Sequence, residues 1–190
     1  RQKAPPPQAA QETGNHGGGS DASERVTRVT QHIAFIGLGS NLENPRSQLQ
    51  RAFAALDELP GTRLLAQSSL YRSAPVQASG PDFVNSVAEL RTALGPMALL
   101  HQLQSIERTF GRVRSVRNAP RTLDLDLLLF GDCVMSGPEL ELPHPRAHLR
   151  AFVLWPLAEL EPGLELPGVG SLEPWLAKAA DQAIERIDAA

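Results

Sequence analysis

RTLDLDLLLF, residues 121–130, is an apolar, strand-like run broken twice by aspartate. Side chains alternate along a strand, so Asp124 and Asp126 should share one face, roughly 7 Å apart. The same alternation predicts Leu123, Leu125, Leu127 and Leu129 on the opposite face. Two neighbouring carboxylates repel, and a strand built only for packing would carry Val or Ile instead. The pair therefore calls for a cationic partner. The segment from Arg108 to Arg121, which leads into it, contains five arginines and no acid.

Working outward, HIAFIGLGSN from His32 reads as a short buried strand entering a Gly-containing turn. A helix follows. Asn44 is placed to cap it, Pro45 suits the first helical position, Leu49, Ala52, Phe53 and Leu56 share one face, and LPG at 59–61 ends it. Residues 62–72 and 82–93 alternate as two strands around the loop SAPVQASGP. Pro96 opens a second helix with the stripe Leu99, Leu103, Ile106 and Phe110, and Gly111 closes it. With the strand at 123–130 the order is strand, helix, strand, strand, helix, strand. That order predicts an α+β, ferredoxin-like βαββαβ core, an antiparallel sheet with both helices on one face and the other face open to ligands. Beyond Gly131 come an extended piece near 139–142, the turn PHPRAH, an apolar segment AFVLWPLAEL, and a last helix expected from Glu173 to Ile187.

The 190 residues suit one domain and a tail. Residues 1–31, rich in Pro, Gly, Gln and Ser, read as a disordered tail or linker, and 32–190 as the folded domain. A net charge of −3 argues against a nucleic-acid coat or a membrane-surface protein, and no apolar run approaches a membrane span. A single cysteine excludes an internal disulfide and a Cys-based zinc site, which suits a cytoplasmic setting.

A fixed carboxylate pair is a site for one or two Mg²⁺ ions, which take oxygen ligands and keep waters and substrate phosphates. Arg112, Arg114, Arg117 and Arg121 offer planar donor forks that match phosphate oxygens. Either feature alone has a blander explanation, a solvated edge strand or a charged surface. Their adjacency points to a substrate with several phosphates. Gln104 and Glu107 sit at i and i+3 on the second helix, at the margin of its buried stripe. His144 and His148 lack a third zinc ligand, and neither a P-loop nor a GxGxxG motif is present.

The ordered series IGLGSN, SLYRSAPV, PDFVNSV, IERTFGRVR, RTLDLDLLLFG and LPHPRAHLRAFVLWPLAEL resembles the 6-hydroxymethyl-7,8-dihydropterin pyrophosphokinase family across roughly 32–190. The resemblance implies transfer of pyrophosphate from ATP to a pterin alcohol in folate biosynthesis, by a monomer that binds neither nucleic acid nor membrane. It implies two Mg²⁺ on Asp124 and Asp126, and catalytic roles for these acids with Arg112 and Arg121. ATP contacts then fall on Leu100, Gln104, Glu107, Arg112, Arg114, Arg121, Leu127, His144 and Arg150. Pterin contacts fall on Ser73, Ala74, Pro75, Val76, Phe83, Asn85 and Phe152. The chain departs from the family's enterobacterial form at Ser73–Val76, at Phe83 and at Asn118, where a tryptophan is familiar.

Two rival functions share parts of this pattern. An RNA-binding module of similar fold would stack bases on aromatics of its central strands, and here only Phe35 and Phe83 are on offer. A two-metal phosphodiesterase needs more carboxylates than Asp124, Asp126 and Glu107 supply.

Overall fold

The structure, a computed structural model, describes residues 30–75, 80–111 and 121–187. In chain order its core elements are β1 (His32–Ser40), α1 (Pro45–Asp57), β2 (Thr62–Gln67), β3 (Leu70–Ser73), β4 (Phe83–Thr92), α2 (Pro96–Thr109) and β5 (Asp124–Phe130). After them come the short strands β6 (Met135–Ser136) and β7 (Glu141–Leu142), then α3 (Ala151–Leu160), β8 (Glu165–Leu166), β9 (Gly170–Ser171), α4 (Glu173–Lys178) and β10 (Ile184–Ile187). The main sheet is antiparallel in the order β10-β3-β4-β1-β5, with β2 also pairing β4. This is the expected α+β arrangement.

Apolar alternation builds the first layer. Ala34, Ile36 and Leu38 of β1, Ala88 and Leu90 of β4, and Leu125 and Leu127 of β5 pack with Leu49, Leu56, Leu99 and Leu103 of α1 and α2. Leu103 is fully buried there. Leu103→Ala is expected to cost about 3 kcal/mol through lost transfer energy and a cavity, measured as a lower midpoint in chemical denaturation.

The opposite face is less open than the sequence implies. AFVLWPLAEL, whose uniform apolarity conceals its periodicity, forms α3 and covers Phe35, Val87 and Leu129 with Val153, Leu154 and Leu157. Its far end is tied to the sheet through Glu159, which accepts bonds from Ser69 Oγ (2.7 Å) and Tyr71 Oη (2.8 Å). Phe35 is thereby buried, which removes one of the two aromatics an RNA-stacking platform would need.

Other expectations are corrected locally. Segment 62–72 is two strands, because Ser68 breaks the ladder: its Oγ lies 2.8 Å from Ser86 Oγ and accepts the Val87 N–H at 3.0 Å. Gly37 and Gly39 lie within β1, not in a turn. Asn44 adopts φ 60° and makes no side-chain capping bond. The last helix stops at Lys178. Residues Ile184–Ile187 instead pair with β3, whose outer edge would otherwise expose unpaired N–H and C=O groups.

The decisive irregularity lies in β5. Pairing with β1 runs Phe35 to Leu129 and then Ile36 to Leu127, so Leu128 is an extra, bulged residue. Past the bulge, Asp126 faces Gly37 and Asp124 faces Gly39, on the side away from α1 and α2. Leu129 consequently shares the aspartates' side, contrary to simple alternation. A Cβ on Gly37 would lie 3.3 Å from Leu128 Cδ2, so glycine leaves room for the displaced leucine.

Candidate active site

At the end of the sheet beyond α3, Asp124, Gly39, Asn85 and Tyr71 face one another across four adjacent strands. The missing side chain at Gly39 leaves a slot. A Cβ there would lie 3.3 Å from Asn85 Oδ1, 3.8 Å from Phe83 Cδ1 and 4.0 Å from Asp124 Cβ. Asn85, only 5% exposed, is oriented by donating from Nδ2 to Ser73 Oγ at 2.9 Å, which aims its carbonyl oxygen at the slot. A flat heterocycle with an amide-like edge could lie between the acid and this amide, along the edge of Phe83.

The cation demanded by the acid pair is Arg121, whose Nη1 lies 2.7 Å from Asp124 Oδ1. Its backbone is held by Asn41, which accepts the Arg121 N–H at 2.9 Å and donates its own N–H to Arg121 O at 3.2 Å. Asn41 Nδ2 also donates to Pro81 O at 3.1 Å, so one buried amide joins the chain entering β5 to the chain entering β4.

The outer edge of β5 is fastened from two sides. Glu107, 3% exposed, accepts the Leu125 N–H at 2.8 Å, and the His144 N–H donates to Leu128 O at 2.8 Å. Glu107 thus supports the strand bearing the acids. Leu127 is buried in the core on the helix side, while Leu100 and Gln104 are half-buried on α2, which packs on β5.

A positive wall stands opposite. Burial and the neighbouring Arg146 lower the pKa of Arg150, while Asp126 and Asp124 oppose that shift and Arg121 adds to it. Arg150 Cζ lies 5.4 Å from the centre of the Phe152 ring, which brings these two expected ligand groups together. Burial, Arg150 and Arg146 hold His144 down at about 4, against the pull of Asp124. His144 is therefore neutral near pH 7, and its Nδ1 accepts the Arg146 N–H at 3.2 Å. His148 instead packs against Trp175, with ring centres 4.4 Å apart.

Because His144 titrates lower in the fold than its ordinary 6.5, folding favours its neutral form. That stability is complete above pH 6.5 and is lost as pH falls through about 4. Allowing for solvent screening, the ligand-free protein should lose about 2 kcal/mol from this group over that window. Denaturation at pH 7 and pH 4.5 should show a smaller drop for His144→Gln; equal drops would remove this account.

Of the residues singled out in the sequence, Ser73, Phe83 and Asn85 lie around the slot, and Arg121, Asp124, Asp126, His144 and Arg150 lie around the acids. Ala74 is exposed and Pro75 half-buried just beyond β3. Val76, Arg112, Arg114, Arg117 and Asn118 lie outside the described residues. Gly39, Asn41 and Arg146 were not singled out by the sequence; a Gly-Ser-Asn run at a strand end and the second arginine of PHPRAHLR were the available signals. Among the described residues no group of three or more His, Cys, Asp or Glu side chains could hold a metal ion. Two carboxylates beside cations instead suit Mg²⁺ that takes its remaining ligands from phosphates and water. Among those residues, too, no helix is long and apolar enough to cross a membrane.

The model of the 7,8-dihydro-6-hydroxymethylpterin-pyrophosphokinase (HPPK) family matches residues 35–162. A Pseudomonas aeruginosa 2-amino-4-hydroxy-6-hydroxymethyldihydropteridine pyrophosphokinase is 50% identical over 157 residues, 82% of this chain and 97% of that protein. Its Haemophilus influenzae namesake is 41% identical, over 82% of this chain and 98% of its own. The crystal structure of wild-type Plasmodium falciparum HPPK-DHPS with pterin and p-hydroxybenzoate superposes with a TM-score of 0.66 at 14% identity over 84% of this chain. This likeness concerns the fold, and the chain spans 47% of that longer protein.

Proposed function

Since the chain belongs to the 7,8-dihydro-6-hydroxymethylpterin-pyrophosphokinase family, we propose that the acid pair of β5 and the slot over Gly39 are where its two substrates meet. The enzyme transfers pyrophosphate from ATP to the hydroxymethyl group of 6-hydroxymethyl-7,8-dihydropterin, giving the pterin diphosphate and AMP, in folate biosynthesis. The observation that carries the site assignment is the convergence of Asp124, Asp126, Arg121 and Arg150 beside a slot lined by Asn85 and Phe83.

In this reading Asn85, Ser73 and the backbone of residues 73–76 hold the pterin edge, with Phe83 and Phe152 against its ring. Arg121, Arg150 and His144 face the triphosphate, joined by Arg112 and Arg114 from the segment before β5. Leu100, Gln104, Glu107 and Leu127 belong to the nucleotide side, Glu107 and Leu127 from beneath the surface. Asp124 and Asp126 would hold two Mg²⁺, which would supply positive charge to neutralise the phosphates. The pterin oxygen attacks the β-phosphorus in line with the departing AMP. Among the described residues no side chain is placed as a strong base, so acceleration comes from orientation and preorganised charge. Residues 32–190 are taken as the catalytic unit. A cytoplasmic setting fits ATP as co-substrate, and a monomer fits a site drawn wholly from one chain.

The test is AMP release from ATP with and without the pterin alcohol and Mg²⁺. AMP and pterin diphosphate should appear in equal amounts and only when both are present. AMP formed without pterin, or Mg²⁺-dependent cleavage of a phosphodiester, would favour another hydrolytic or transfer activity.

A further inference from the structure

Gln182 lies between α4 and β10, outside every group assigned above. Its side-chain amide makes two bonds that bracket Arg150. Oε1 accepts the Ala151 N–H at 2.9 Å, and Nε2 donates to Leu149 O at 2.9 Å. Arg150 is the N-cap residue of α3, in extended conformation, and its own side chain makes no capping bond. The first N–H groups of a helix have no partner within it. Here a residue 31 positions downstream supplies the acceptor.

One planar amide therefore fixes the peptide units on both sides of Arg150. That matters because the guanidinium sits at the end of a long side chain, so a small backbone rotation becomes a large displacement where phosphate would be bound. Misplacement of a ligand-binding group by about 1 Å can cost on the order of 10²-fold in rate. The same segment continues into β10, where Ile184 pairs with Ser73, the last residue of β3. Its attachment thus reaches both the turn carrying Arg150 and the strand that enters the proposed pterin loop.

We infer that Gln182 is a positioning residue that orients Arg150, and with it Phe152, toward the substrates. The inference rests on the reading of Arg150 as a phosphate-binding group. Gln182 is itself exposed, so its replacement leaves the core intact.

The experiment is a double-mutant cycle in the full chain, with steady-state kinetics for ATP and pterin varied separately and a thermal melt of each variant. Gln182→Ala and the length-preserving Gln182→Met should each raise the KM for ATP about tenfold, lower kcat less, and lower the melting temperature by only about 2–4 °C, the cost of one lost cap acceptor. Combined with Arg150→Ala, the Gln182 change should add less than twofold, because its target is already gone. Normal kinetics for Gln182→Ala and Gln182→Met beside a crippled Arg150→Ala enzyme would overturn the inference alone. So would a full tenfold loss that persists in the Arg150→Ala background. An unaffected Arg150→Ala enzyme would overturn the phosphate role of Arg150 and the inference with it.

Discussion

Asp124→Ala and Asp126→Ala are each expected to reduce pterin-dependent AMP formation by on the order of 10³-fold while the protein stays folded. The two carboxylates share one side of β5, and Arg121 offsets Asp124 from 2.7 Å. Removing either acid takes away an oxygen ligand for Mg²⁺ and leaves the cationic wall of Arg121 and Arg150 without its counterweight. It also relieves repulsion between the acids, so stability should change little. Both side chains are only half-buried, and neither belongs to an apolar cluster. Activity should be measured at saturating Mg²⁺, with a melt alongside. Either variant retaining more than a tenth of the parent rate would sink the metal-site assignment; a collapse in melting temperature would instead mark the acids as structural.

Gly39→Val should be nearly as damaging, and selectively so. Valine is a favoured strand residue, and Gly39 sits inside β1, so folding is expected to survive. The new Cβ would press within 3.3 Å of Asn85 Oδ1, and the valine methyls would occupy the slot beside Phe83. The KM for pterin should rise about 10²-fold, while binding of a nonhydrolysable ATP analogue, measured by calorimetry, should hold within a factor of about three. If pterin binding were intact and nucleotide binding lost, the two substrates would have been assigned to the wrong regions.

The order of elements was legible because each carries its own punctuation. Pro45 and Pro96 open helices, Gly111 closes one, and the stripes of Leu49, Ala52, Phe53 and Leu56 and of Leu99, Leu103 and Ile106 have helical spacing. The acid pair was legible for a similar reason, since two charges in an apolar strand demand an explanation. What escaped depends on partners distant in sequence. Ile184–Ile187 is compatible with a helix until β3 offers an unpaired edge. AFVLWPLAEL is apolar all round, so its pattern does not reveal which face it covers. Gly39 becomes a slot only when Asp124 and Asn85 flank it, and Asn41 becomes a junction only when Arg121 and Pro81 come within reach of one amide. Local pattern identifies elements; cross-strand register decides what they present.

The extra residue at Leu128 turns the chemistry of this sheet into a question of parity. Three consecutive leucines, 127–129, replace the two that strict alternation would allow. If the pairing on the Phe130 side ran on without the bulge, Asp124 and Asp126 would stand opposite Ser40 and Leu38, turning both carboxylates in beneath the helices. Exchanging one leucine for another apolar residue alters packing by degrees, whereas pairing that ran straight through all three would invert the surface. The bulge therefore carries information that the identity of the leucines does not.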